Sequence, residues 1–351
     1  MSYDLKEIDN SIRNIDLLKE KIKKKTTPML SSYNVDPIGQ LKIQNVRSLS
    51  TIGKIYDCSW SSNSQNFITL ASGVMYCYDP LKTDYLWKIN CFSSKTITCS
   101  YGTKGRLVAC GGIECSVNIF NIESSSIPNN KNKIKNLFRK KKKKNFGSNF
   151  NFTEHQGWIS SCLFIDETSL ASSSGDTTCH IIDIEKQKSK NHFVGHEQDV
   201  VCVEYNSKKP NNLISGSSDG SARLWDIRTN SAVHTFLYEN EVDDISFFPD
   251  GNAFASINSN VGSMYDLRTN KLINQYRVDD VTITPNIAFS SSGRILFISN
   301  ADNNIICFDT LTTKKISSFT NHTENISTLR LSPNGYALLS VGWDSKVNLW
   351  A

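Results

Sequence analysis

Short apolar runs of five or six residues, broken at regular intervals by clusters of Ser, Gly and Asn, recur along most of the chain. Each third run closes on an aromatic or aliphatic residue followed by Asp or Asn. These closures fall at Tyr78-Asp79, Phe120-Asn121, Ile182-Asp183, Trp225-Asp226, Tyr265-Asp266 and Phe308-Asp309, with a last one at Trp350-Ala351. The intervals between them are 42, 62, 43, 40, 43 and 42 residues. Period-two alternation bounded by turn residues predicts strands. A unit of 40–45 residues repeated seven times predicts four-stranded blades set radially around a closed ring. The expected class is therefore all-β, a seven-bladed propeller over residues 31–351. The long interval is about 20 residues over period, and its excess coincides with the Ser/Asn/Lys tract at 124–150, which reads as a loop inserted into an intact repeat.

Two further patterns refine this picture. Asp176, Asp219, Asp302 and Asp344 each stand six residues before a closure, in Ser/Gly/Asn turns, and His155, His196 and His322 lie upstream. Such a His can donate to the turn Asp, while Ser and the closing Trp225 or Trp350 extend the chain of hydrogen bonds inward. The expected role is structural. The last repeat also stops at its third strand, so residues 40–48 are expected to supply the fourth and to pair the two ends of the chain, which removes two open sheet edges. Ahead of the repeats, Leu5, Ile8, Ile12, Ile15 and Ile22 follow heptad spacing, with Leu18 beside the seam. Residues 1–30 therefore read as a coiled-coil helix with one apolar stripe. A stripe of that size needs cover, by another chain or by the propeller itself.

In this order, the stretches NVDPIGQLKIQ (34–44), GKIYDCSW (53–60), VACGG (108–112), SSGDTTC (173–179), FFPDGNAFAS (247–256), YDLR (265–268) and GWDSKVNLW (342–350) resemble the WD40-repeat β subunits of heterotrimeric G proteins. The resemblance runs from about residue 5 to the end of the chain, interrupted by the insertion. It implies that the N-terminal helix pairs with a γ subunit, and that Phe248, Asp250, Asp266 and Arg268, in segments that touch γ in the family, belong to the same contact. It implies, too, that one mouth of the ring binds a GDP-loaded α subunit and, after α leaves, effectors. Because the His loops and Asp turns must meet, they share a mouth. Residues beside them are the candidates for that surface: Lys54, Tyr56, Lys95, Ile97, Ile113, Cys115, Trp158, Asp199, Val201, Glu241, Asp243 and Trp343. Two Trp, a Tyr and several acids make the kind of mixed patch in which binding energy concentrates. The chain departs from the family at Lys95, where Trp is usual, and at Cys115, where Asn is usual. The fifth repeat has Ser259-Asn260 instead of a turn acid, and the first reads Ser-Gly-Val at its turn. These departures bear on affinity and partner choice.

Composition changes the picture in one place. The net charge of +5 is local: residues 131–144 carry nine Lys/Arg and no acid, and subtracting them leaves −4 for the remainder. Such a tract reads as a solvated loop at the mouth opposite the His and Asp loops. There Arg139, Lys140, Lys141, Lys142, Lys143 and Lys144 could approach an anionic membrane surface, at up to about 1 kcal/mol each. Nucleic acid is the weaker reading, since no aromatic residues interleave to stack bases. The ten Cys are scattered in apolar stretches without CxxC spacing and read as reduced core thiols. No metal or cofactor is expected. The string Gly216-Ser217-Ser218-Asp219-Gly220 matches a nucleophile elbow formally, but lies between strands where the elbow needs a strand-to-helix turn. No phosphate-binding glycine loop occurs. The charged start of the chain and the lack of a long apolar run suggest a cytoplasmic protein, and the resemblance implies that γ holds it at the cytoplasmic face of the plasma membrane. The reading is thus a binding protein and not an enzyme. A general WD-repeat scaffold for kinases or ribosomes, without γ or α, is the alternative, and the heptad seam separates the two.

Overall fold

The computed structural model describes residues 43–91, 93, 95–122, 148–278, 285–300 and 302–351. The expected N-terminal helix, with Leu5, Ile8, Ile12, Ile15, Leu18 and Ile22, lies outside the described residues, as does the Lys-rich run 139–144. Among the described residues there are seven four-stranded antiparallel sheets. Blade 1 runs Ile55–Trp60, Phe67–Ala71, Val74–Tyr78 and Tyr85–Asn90 from the centre outward. Blades 2 to 6 begin at the inner strands Thr96–Tyr101, Ile159–Phe164, Val200–Tyr205, Asp244–Phe247 and Ile287–Phe289, each followed in order by its other three.

Blade 7 breaks the order and closes the ring. Its three inner strands, from Ile326–Leu331 to Lys346–Trp350, are completed by Asn45–Ser50 from the other end of the chain. The closing strand is thus placed later than the expected 40–48. Gln44 still exchanges backbone hydrogen bonds with Ala351, but the regular register starts at Asn45, opposite Trp350. Burial of Leu49 against Val347 and Leu349 fixes which residues face inward. Blade 2 likewise shows where the insertion ends. Its fourth strand is Ser148–Phe152, so the inserted segment stops before Ser148, within the stretch 124–150. Phe150 and Phe152 hold that strand by packing against Ile159 and Ile182 of blade 3.

The apolar runs are nearly continuous because each blade is covered on both faces. Seven buried clusters fill the seven gaps between neighbouring blades. The gap between blades 7 and 1 holds Trp60, Phe67 and Tyr78 against Leu339, Val341 and Leu349. Phe67 and Tyr78 stack there with ring centroids 5.5 Å apart. A ring built this way is only as stable as its weakest gap, and truncating a ring such as Phe67 to Ala would cost about 3–5 kcal/mol.

Polar clamps tie the inner strands around the channel. Asp57 accepts the backbone N–H of Cys99 at 2.8 Å and the Thr98 hydroxyl at 3.0 Å, joining blade 1 to blade 2. Thr98 in turn accepts the Cys162 N–H of blade 3 at 3.2 Å, and Asp244 accepts the Ile287 N–H of blade 6 at 3.0 Å. Between blades 7 and 1, Ser327 donates to the Ile55 carbonyl at 2.7 Å and Trp60 Nε1 to the Arg330 carbonyl at 3.1 Å. Arg330 is the cation among Asp244, Asp57 and Glu204. Burial pushes the Glu204 carboxyl up to about 7, although Arg330 opposes it. Repeat patterning carries no signal for this channel cluster, because its four members come from four different repeats.

Candidate partner-binding mouth

Each blade presents to one mouth the loop before its inner strand and the hairpin turn between its second and third strands. Antiparallel order makes these two meet. The hairpin places one residue in the left-handed region right after the turn acid: Thr177, Gly220, Asn303 and Ser345 have φ of 72°, 72°, 62° and 60°. In three of these turns the acid side chain, from Asp176, Asp219 or Asp344, caps the turn and faces the His of the loop.

Asp219 is the clearest case. Its Oδ2 meets His196 Nδ1 at 2.8 Å and accepts the Glu197 N–H at 3.1 Å, while Oδ1 accepts the Ser221 N–H at 2.9 Å and its hydroxyl at 2.6 Å. His196 Nε2 lies 2.8 Å from Ser215 Oγ, and Trp225 Nε1 donates to the same oxygen at 2.8 Å. An ionised Asp219 can only accept, so the imidazole hydrogen sits on Nδ1 and the Ser215 hydroxyl donates to Nε2. Every polar atom in the line is then satisfied. Blade 7 repeats it with Asp344, His322, Ser340 and Trp350. Blade 3 has Asp176, His155 and Ser172, and ends there because Ile182 replaces the Trp. Hydrogen bonds from the turn and the His lower the carboxyl pKa of Asp176, Asp219 and Asp344 against the burial that raises it. Burial lowers that of His196. The Ser-His-Asp order is that of a hydrolase triad, but Ser172, Ser215 and Ser340 are each 0 % exposed, so no substrate carbonyl reaches them.

Two blades solve the same problem differently. Asp302 has no His; Asn300 Nδ2 approaches it at 3.5 Å. In blade 5 the acid has moved across the gap. Asp243, on the loop, accepts the Ser259 N–H of the turn at 2.8 Å, with Ser259 in the left-handed region at φ 53°. Asp243 has no His partner there, and burial, with Glu241 and Asp244 nearby, pushes it up to about 7.

All twelve residues expected at this mouth are borne by these loops, turns and the first residues of the inner strands. Lys54, Lys95, Ile113 and Glu241 are exposed; Tyr56, Ile97, Cys115, Trp158, Asp199, Val201, Asp243 and Trp343 are half-buried. Lys54 Nζ sits 4.4 Å above the Trp343 ring, joining blades 1 and 7. Trp158 Nε1 donates to Asp199 Oδ2 at 3.1 Å, joining blades 3 and 4. Lys95 and Ile113 are linked through their backbones at 3.2 Å. Cys115 adopts φ 55°, a conformation Asn takes more readily than Cys. Sequence reasoning missed Ile52, which is 83 % exposed on the loop beside Lys54. Its only signal was an apolar residue in a turn.

The four residues expected at a γ contact lie toward the opposite mouth or the rim. Asp266 and Arg268 are bound to each other, Nη2 to Oδ2 at 3.0 Å and Nε to Oδ1 at 3.2 Å. Asp250 accepts the Asn252 N–H at 2.7 Å. Phe248 packs edge-on against Phe289 of blade 6, centroids 5.3 Å apart. Among the described residues, no group of three or more His, Cys, Asp or Glu is placed to hold a metal ion, the ten cysteines are free thiols, and no helix is long and apolar enough to cross a membrane.

Seven radial sheets, a ring closed by its own leading strand and His-Asp-Ser-Trp lines repeated at one mouth define a WD-repeat propeller, a class that works by presenting loops to other proteins. Within that class, residues 5–351 match the model of the G protein beta WD-40 repeat protein family, and the chain belongs to it. Among curated proteins it is 33 % identical over 319 residues to a guanine nucleotide-binding protein subunit beta of Solanum tuberosum, covering 85 % of this chain and 81 % of that one. Those of Oryza sativa subsp. japonica and Arabidopsis thaliana are 31 % identical over 322 residues and 32 % over 321, with coverage of 85 % of this chain in both and of 80 % and 81 % of theirs.

Proposed function

We propose that this chain is the β partner of a heterotrimeric G protein, binding a GDP-loaded α subunit at the His/Asp mouth and effectors there once α has left. The observation that carries this reading is the mouth itself. Lys54 over Trp343 bridges blades 1 and 7 and Trp158 on Asp199 bridges blades 3 and 4, which sets two aromatic anchors in fixed poses at separate points of the mouth, with Ile52, Ile113 and Glu241 also exposed there. Anchors that need no reordering are where binding energy concentrates. Residues 1–30 would pair with a γ helix through their heptad seam, aided by Phe248, Asp250, Asp266 and Arg268. The γ chain would then hold the complex at the cytoplasmic face of the plasma membrane, with Arg139 and Lys140 to Lys144 adding attraction to anionic lipid.

Titration of the purified chain, with its companion if one co-purifies, against a GDP-loaded α subunit tests the mouth. Trp343→Ala and Asp199→Ala should each weaken binding about tenfold or more, in line with loss of an anchor, while far-ultraviolet circular dichroism stays unchanged. Equal affinity in both folded variants would remove this mouth as the α site. Co-expression with γ-like chains tests the helix separately: a chain that purifies alone and monodisperse would refute the γ pairing.

A further inference from the structure

Blade 3 carries a pair of imidazoles that the mouth does not use. On its third strand His180 stands directly opposite His192 of the outer strand, with ring centroids 4.3 Å apart. His180 is only 5 % exposed, whereas His192 is exposed on the rim. A bulge in the outer strand, between the partners of Ile181 and Ile182, brings Ser189 Oγ to 3.0 Å from His180 Nδ1. That hydroxyl has one hydrogen, and it points to the Asn191 carbonyl at 2.9 Å. In the His180–Ser189 bond the imidazole must therefore be the donor. The single proton of neutral His180 is on Nδ1, and Nε2 keeps its lone pair.

The neighbours favour this state. His155 lies against the other side of His180, centroids 4.2 Å apart, but both its nitrogens are engaged by Asp176 and Ser172. Burial, reinforced by His155 and His192 and opposed by Asp176, holds His180 down at about 3. Phe152, from the outer strand of blade 2, packs edge-on against His180 with centroids 5.7 Å apart, and Glu154 adds a negative charge at the rim, where it accepts the Ser189 N–H at 3.3 Å. A buried imidazole with its tautomer fixed through Nδ1 and a second imidazole at contact distance is the donor arrangement of a metal ligand whose other nitrogen is held by an outer hydrogen bond.

We propose that His180 and His192 form a two-imidazole site for a borderline divalent transition cation such as Zn²⁺, with water filling the remaining positions. Imidazole donors suit such ions. Directly opposed residues of antiparallel strands have Cβ atoms about 4.5–5.5 Å apart, so only rotation of the exposed His192 ring is needed to aim both nitrogens at one ion. With two protein donors the ion binds reversibly, and it would staple the outer strand to the blade. The four other histidines offer no equal: His155, His196 and His322 are consumed by their Asp and Ser partners, and His234 sits against Phe236 on blade 4.

Isothermal titration of the full-length chain with Zn²⁺ at neutral pH, any companion chain retained, tests the site. The expected result is uptake of one equivalent that His192→Gln weakens about tenfold or more and that Ser189→Ala, which frees the tautomer without removing a donor, weakens about tenfold. His192 is exposed, so that variant should keep the wild-type circular dichroism. No uptake at millimolar Zn²⁺, or uptake that His192→Gln leaves unchanged, would overturn the proposal. Unchanged affinity in Ser189→Ala would overturn the tautomer argument on which it stands.

Discussion

Replacing Ser215 by Ala removes one oxygen from the centre of the blade 4 line. Ser215 Oγ accepts from Trp225 Nε1 and donates to His196 Nε2, each at 2.8 Å, and the residue is 0 % exposed. Alanine adds no clash, so packing contributes little, but two buried polar atoms lose their partners at once. An orphaned buried donor or acceptor costs about 1–3 kcal/mol. The variant should therefore lose about 2–6 kcal/mol, a large share of the stability of an ordinary domain. Equilibrium unfolding in urea followed by circular dichroism measures it. A double-mutant cycle with Trp225→Phe isolates the cause. In the Ser215→Ala background the indole N–H is already unpaired, so deleting it should cost less than in wild type, with a coupling of about 1–2 kcal/mol between the sites. A Ser215→Ala variant within about 0.5 kcal/mol of wild type, or strictly additive effects in the cycle, would refute the claim that the line is a single satisfied network.

Other sites give independent tests. His180 is held near 3 in the folded chain against an ordinary value of about 6.5. The unfolded chain takes its proton first, so stability is complete above about pH 6.5 and is lost as pH falls toward 3, by at most about 5 kcal/mol. In EDTA, His180→Gln should flatten that part of the pH profile, and an unchanged slope would contradict it. Asp243 is raised to about 7, so the folded chain holds this proton after the unfolded chain has released it. Stability is therefore lost as pH rises from about 4 to 7. Asp243→Asn, which still accepts the Ser259 N–H, should remove that loss and be at least as stable as wild type above pH 7; a less stable variant there would show that the charge is needed. At Cys115, with φ 55°, Gly should raise stability by about 0.5–1 kcal/mol by relieving left-handed strain, measured by the same unfolding assay.

The ring was legible because a propeller repeats itself. Closures at Tyr78, Phe120, Ile182, Trp225, Tyr265, Phe308 and Trp350 mark the third strands of seven blades, and the aspartates six residues earlier mark the turns of four. Local rules suffice there, since a hairpin turn and the His that faces it lie within one repeat unit. The expected closing segment, 40–48, overlaps only part of the observed strand Asn45–Ser50, because alternation runs through QLKIQ and NVRSLS alike. Choosing between them requires knowing which residues meet Val347 and Leu349, a contact across almost the whole length of the chain.

Sequence alone therefore determined the number of blades, the repeat that is longer than the others, the pairing of His155, His196 and His322 with their turn aspartates, and the family. Tertiary structure decided what depends on neighbours from different repeats. It alone brought Asp57, Glu204, Asp244 and Arg330 to one channel, moved the blade 5 acid from the turn to Asp243, and set Lys54 on Trp343. The physical reason is range. Turn geometry and strand alternation are fixed by residues a few positions apart, whereas a charge cluster or a cation over a ring exists only once the two ends of the chain have met.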